Sequence, residues 1–174
     1  MTTLSTNAIL LRQLRKEDLT EEYVSWLNDP NVNQYLETRY LPQTHESLVD
    51  YWNNHRDDSS SPWFAIVSKN NNKHIGNIKL GPINRIHLTA DISLFIGDKH
   101  SWGKGYATQS IKLLSEWSFA TLNIRKLKAG IYSENHGSRK AFEKAGFALE
   151  ATLKEEVFFR GRYIDVWRMS LLRR

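Results

Sequence analysis

The sequence predicts an α/β fold, and three observations predict it. Three strand-like runs cluster in the middle of the chain, apolar residues recur at helical spacing on both sides of them, and a strand, a glycine-rich turn, a helix and a further strand follow one another around Gly103 and Gly105. The 174 residues fit a single domain spanning 1–174, a length that buries a substantial core.

Taken in order, Ala8 to Leu14 is short enough for a strand, and Asp18-x-x-Glu21 has the form of a capping box opening a helix whose face carries Leu19, Tyr23, Trp26 and Leu27. Asn28-Asp29-Pro30 stops that helix, because proline disfavours helical geometry in the residue before it. Asn31 to Gln43 has no clean period. A second helix follows from Thr44, with Leu48, Tyr51, Trp52 and His55 on one face, until Ser59-Ser60-Ser61-Pro62 breaks it. Trp63 to Ser68, His74 to Leu80 and Ala90 to Gly97 read as antiparallel strands, the first two joined at Asn70-Asn71-Asn72. Beyond the glycine loop, Ala107, Ser110, Leu114 and Trp117 share a helical face over Tyr106 to Thr121, and Arg125 to Tyr132 alternates like a strand. Asn135 to Ala145 reads as a fourth helix, with Gly146 placed as its left-handed cap. Glu150 to Leu172 then forms two strands joined at Arg160-Gly161-Arg162.

Composition removes several function classes. A 40% hydrophobic and 25% charged chain is neither disordered nor collagen-like, and with no cysteine it has no disulfide, thiolate nucleophile or thiolate metal site. No apolar run approaches the roughly 20 residues that span a bilayer, and the N-terminal stretch lacks a basic region followed by an apolar one. The expectation is a cytoplasmic protein with no membrane partner. A net charge of +5 suits a phosphorylated ligand, but the basic residues are scattered and carry no recognition module, so no nucleic acid partner is expected. The six histidines show no metal-binding spacing, and no metal is expected.

A glycine loop between a strand and a helix lets backbone N–H groups point at phosphate oxygens beside the partial positive charge of the helix start. The loop here is Trp102-Gly103-Lys104-Gly105-Tyr106-Ala107-Thr108. It is not a P-loop, which needs Lys then Ser or Thr after its last glycine, nor a dinucleotide fingerprint, which wants Gly or Ala where Thr108 stands. Glycines alone would equally serve a tight turn.

The loop together with its neighbours resembles the Gcn5-related N-acetyltransferase (GNAT) family, whose cofactor loop is approximately Gln/Arg-x-x-Gly-x-Gly/Ala. Gly105 and Ala107 match, and Trp102 replaces the first residue in the manner of the ribosomal-protein N-acetyltransferase branch. The resemblance continues through Asn123 to Leu127, through Asn135-x-x-Ser138-x-x-x-Phe142-x-Lys144-x-Gly146-Phe147, and into Arg160-Gly161-Arg162-Tyr163-x-Asp165, an ending also seen in polyamine acetyltransferases. It implies a twisted mixed sheet of six to seven strands, helices on both faces, and a cofactor groove between splayed strands.

The resemblance further implies acetyl-CoA as cosubstrate. Backbone groups of Phe95, Ile96 and Gly97 would pair with the pantetheine arm as an added strand does. The Ile96 N–H would face the thioester carbonyl, an oxyanion contact of a kind worth about 2.7–4 kcal/mol. Within the cofactor loop that begins at Trp102, Gly103 to Thr108 would cradle the pyrophosphate, Asn135 would contact the pantetheine chain, and Arg139, Lys144 and Lys104 the remaining phosphate charge. An Asn before a helix is equally a good N-cap, and basic residues on a helix face are usually solvated.

Acetyl transfer needs a path for the amine proton and a proton for the departing thiolate. Many family members use a tyrosine as that donor, and it falls here at Phe142, which cannot donate. Ser138 stands where the ribosomal-protein branch places a serine that can take the role, or it caps the first helical turn. Asp91 and Glu37 are candidate bases, with Glu150, Glu155 and Glu156 as further carboxylates. Acidic Glu37, Asp91, Glu155 and Glu156 suit a cationic amine, whereas Arg39, Arg160 and Arg162 suit an acceptor bearing phosphate or carboxylate. Polyamines, amino sugars and protein N-termini therefore all remain candidate acceptors. Many family members pair, so a homodimer is compatible with the resemblance. A non-catalytic acyl-CoA-binding module is the alternative, because Phe142 replaces the common donor.

Overall fold

The computed structural model describes residues 2–173. Ile9 and Leu11 are fully buried on strand β2 (Ile9–Gln13), alternating with the half-buried Leu10 and Arg12, and the strand pairs with the short β1 (Thr3–Ser5) ahead of it. Thr20 caps α1 (Glu21–Asn28), its side chain accepting from the Tyr23 N–H at 3.2 Å. The expected cap at Asp18 is not made: its carboxylate turns back to take two 2.6 Å bonds from Arg12 and one of 2.8 Å from the Arg15 N–H. A buried carboxylate needs a cation more than a helix needs a second cap. Pro30 stands at the first position of the short α2 (Pro30–Asn33), where its missing N–H costs nothing. A single 3-10 turn, Glu37–Tyr40, leads to α3 (His45–His55), capped by Thr44 as its sequence indicates.

Strands β3 (Trp63–Ser68), β4 (Lys73–Leu80) and β5 (Thr89–Ile96) form an antiparallel meander. Helix α4 (Tyr106–Thr121) carries the chain to β6 (Lys126–Tyr132), and α5 (His136–Lys144) leads to β7 (Ala148–Phe159) and β8 (Arg162–Leu172). The last two meet at Arg160 and Gly161, both with positive φ, which matches the twist a two-residue hairpin turn requires. The sheet has eight strands in the order β1-β2-β3-β4-β5-β6-β8-β7, one more than the sequence predicts. The extra strand is β1, whose three residues are too few to show a period.

Helices cover both faces. Ile66, Ile78, Leu80 and Leu127 pack on one face against Ile111 and Leu114 of α4 and Phe142 of α5, while Ala65 and Val67 pack on the other against Tyr23, Trp26, Leu48 and Trp52 of α1 and α3. Each fully buried Ile or Leu contributes about 1.5–3 kcal/mol relative to exposure.

One pairing positions the site. All neighbouring strands run antiparallel except β5 and β6, and these pair only from Thr89–Lys126 to Asp91–Lys128. Beyond that point β5 remains paired with β4, from Leu80–Ile92 to Gly76–Ile96, and parts from β6. Gly97 fixes its end: a Cβ there would lie 2.1 Å from the Trp26 ring, so only glycine lets α1 pack against it.

Candidate active site

Alternation along β5 decides which peptide groups face the gap. The Asp91 carbonyl accepts from Gly81 at 2.7 Å and the Gly97 N–H donates to Ile75 at 2.8 Å, so odd-numbered residues bond toward β4. The Leu88 carbonyl accepts from Arg125 at 2.7 Å, so even-numbered residues bond toward β6. The peptide groups of Ile92, Leu94 and Ile96 therefore point into the splay. Phe95 and Gly97, expected with Ile96 to bind the pantetheine arm through their backbone, have those groups engaged by β4. Leu94 is the residue sequence reasoning missed, and the signal for it is the two-residue period counted from a known pairing.

The glycine loop abuts this edge. Trp102 donates its indole N–H to the Ile96 carbonyl at 2.8 Å. Gly103 and Gly105 have φ of 74° and 77°, and a Cβ on either would meet nothing within 4 Å, so the glycines serve backbone conformation and open space rather than packing. Helix α4 has no side-chain cap and no acidic residue in its first turn, unlike α1 and α3. Among the described residues, no hydrogen bond uses the N–H groups of Gly103, Lys104, Gly105, Tyr106, Ala107 or Thr108. Six free donors at a helix start fit a pyrophosphate. Tyr106 itself is buried, its hydroxyl taking a 3.4 Å bond from Asn70, and Lys104 is exposed.

On α5 the Asn135 side chain accepts from the Ser138 N–H at 3.1 Å and is the N-cap. The Ser138 hydroxyl makes no hydrogen bond among the described residues and is half-buried. Arg139 is held by Glu143 at 2.8 Å and stacks 4.3 Å from the Trp167 ring centre, so its guanidinium is engaged within the fold rather than extended as a free phosphate ligand. Lys144 is exposed at the other end of the helix. Phe142 is 2% exposed and packs edge-on to Phe147, so this position is core.

The face of the sheet opposite α4 and α5 carries the other candidates. Asp91 lies between Lys128 at 3.1 Å and Arg168 at 3.3 Å, with one carboxylate oxygen on each. It stands five residues before Ile96, about 16 Å along an extended strand. Glu37 lies elsewhere, accepting a hydrogen bond from the Tyr132 hydroxyl. Arg39 donates to the same hydroxyl through both terminal nitrogens at 3.3 Å and to the Leu36 carbonyl at 2.8 Å. Tyr35, Tyr132 and Phe159 pack together around it, with Arg39 over the Tyr40 ring at 4.1 Å. Burial first, and the bond to Glu37 second, raise the Tyr132 phenol above its ordinary value despite Arg39. A cavity of about 590 Å³ adjoins this cluster, walled by Asn33, Gln34, Arg39, Tyr40, Phe159 and Arg160. Sequence reasoning named Glu37 and Arg39 but missed Tyr132, read only as the end of a strand.

Residues 8–148 match the model of the acetyltransferase (GNAT) domain. The chain belongs to the GNAT acetyltransferase family. The acetyltransferase is 32% identical over 167 residues to spermidine N(1)-acetyltransferase of Vibrio cholerae, covering 94% of this chain and 92% of that one. It is 30% identical to the Escherichia coli spermidine N(1)-acetyltransferase over 96% and 87% of the two chains. The crystal structure of the Vibrio cholerae enzyme in complex with CoA and spermine superposes with a TM-score of 0.86 at 31% identity, covering 96% of both chains. These relatives are spermidine enzymes, so the likeness does not single out the ribosomal-protein branch. The acetyltransferase uses acetyl-CoA and transfers its acetyl group to an amine. Transfer, not cofactor binding alone, is thus its activity. Among the described residues there is no group of three metal-ligating side chains, and no helix is long and apolar enough to cross a membrane.

Proposed function

We propose that the acceptor is an aliphatic polyamine, acetylated on a primary amine by direct attack on the thioester. The observation that carries this reading is the exposed Glu37 carboxylate on the acceptor side, bonded to Tyr132, where a cationic amine can be held and deprotonated. The spermidine enzymes among its relatives support it. On the cofactor side the free N–H groups of Gly103 to Thr108 would bind the pyrophosphate, and those of Leu94 and Ile96 the pantetheine and thioester. Lys104 and Lys144 are the cations left for the remaining phosphate.

A second reading rests on Lys128 and Arg168, which share the single carboxylate of Asp91, and on Arg39 and Arg160 in the cavity wall. That balance suits an amine that also carries phosphate or carboxylate, such as a nucleotide-linked amino sugar. Mass spectrometry of acetyl transfer to spermidine, spermine, nucleotide-linked amino sugars and peptides with free N-termini decides between them. Turnover of spermidine well above the others is expected; transfer confined to the anionic sugars overturns the first reading. Light scattering of the purified chain tests the homodimer.

A further inference from the structure

The usual tyrosine donor position is a buried phenylalanine, Phe142, yet a tyrosine, Tyr132, ends β6 on the other face of the sheet, where β5 and β6 part. Continuing the β5–β6 register from Asp91–Lys128 past the last pair sets Tyr132 opposite Phe95, across the splay from the peptide groups of Leu94 and Ile96. Its hydroxyl is held between Glu37, which accepts its proton, and Arg39, which donates to its oxygen. We propose that Tyr132 protonates the departing thiolate and that Glu37, having taken the amine proton, returns it to Tyr132.

The reaction balances through this pair. The amine nitrogen forms a bond to the thioester carbon, its excess proton passes to Glu37, the carbon–sulfur bond breaks, and the sulfur takes the Tyr132 proton. Glu37 then reprotonates the phenolate oxygen along their hydrogen bond, leaving amide, free thiol and the starting enzyme. Burial and the Glu37 carboxylate keep the phenol protonated at neutral pH, as a donor must be. Among the described residues, Glu37 and Arg39 from the turn and Tyr35 ahead of it are the charged and titratable groups in contact with it, and β7 contributes the Phe159 ring.

This rests on the acetyltransferase reading, and the experiment separates the two. With whichever amine the wild type accepts, Tyr132→Phe, which keeps the ring packing, is expected to lower kcat about 100-fold or more while the KM for acetyl-CoA stays within about threefold. The alkaline limb of the pH–rate profile should change with it. Glu37→Gln, at a side chain 74% exposed and so harmless to folding, should lower kcat. In the ligand-free protein the same variant should lower the pH at which the Tyr132 phenolate absorbs in the near ultraviolet, a signal Tyr132→Phe lacks. A folded Tyr132→Phe protein within about twofold of wild-type kcat overturns the relay and leaves the acetyltransferase reading intact. If Tyr132→Phe does not fold, unchanged kcat in Glu37→Gln overturns it instead. A wild type that acetylates no amine overturns both.

Discussion

The Trp102 indole donates to the Ile96 carbonyl at 2.8 Å, tying the glycine loop to the open edge of β5. Trp102 is 45% exposed although it is a large apolar side chain, so this bond, rather than burial, fixes it. Trp102→Phe should raise the KM for acetyl-CoA several-fold with little loss of stability, because one neutral hydrogen bond is worth about 0.5–1.5 kcal/mol. Fluorescence titration with CoA checks it, and an unchanged dissociation constant would remove Trp102 from cofactor binding.

Gly105 adopts φ of 77° with open space around a notional Cβ. Gly105→Ala therefore meets backbone strain and no clash, costing about 1 kcal/mol, or about 2–4 °C in Tm for a chain of this size. CoA affinity should fall further than stability, since the helix start must move from the phosphate. Calorimetric titration beside thermal melting separates the two effects.

Asn135 caps α5, whereas the Ser138 hydroxyl has no hydrogen-bond partner among the described residues. Asn135→Ala should cost about 1 kcal/mol of stability, and Ser138→Ala less than about 0.5 kcal/mol. With Tyr132 as donor, Ser138→Ala should also retain most of its turnover. A large loss of kcat in Ser138→Ala at constant acetyl-CoA affinity would instead make the serine the donor.

Acid should destabilise the fold in two stages. Burial lowers the His74 imidazole below its ordinary value, against the favourable influence of Asp18, so the folded state resists a proton that the unfolded chain takes up below about pH 6.5. Stability from this source is full above that pH and declines below it. Burial would raise the Asp18 carboxyl, but the bonds from Arg12 and the Arg15 N–H outweigh it and leave it lowered. That contribution is present above about pH 3.9 and is lost as pH falls through the lower folded value. Melting temperature against pH should show both declines, with His74→Gln flattening the first. Asp18→Asn, which leaves Arg12 beside a neutral partner, should destabilise by about 3 kcal/mol at neutral pH.

Much of the fold is legible in the chain because its elements carry strong local signals. The α4 range Tyr106–Thr121 and the β3 range Trp63–Ser68 are found where apolar spacing puts them, and Thr44 caps α3 as its position suggests. Asp18 misleads because a capping pattern and a buried ion pair use the same residue type, and only the location of Arg12 on the neighbouring strand distinguishes them.

By itself the sequence determines the family and the place of the glycine loop before α4, since paired glycines at a helix start and a spaced Asn-Ser-Phe helix are local features. Tertiary structure alone decides which groups face the reaction. That Leu94 and Ile96, rather than Phe95 and Gly97, turn their N–H groups away from β4 depends on the β4 register. That Tyr132 meets Glu37 and Arg39 depends on a turn more than ninety residues away. Such contacts arise from long-range strand pairing and packing, which no spacing along the chain encodes.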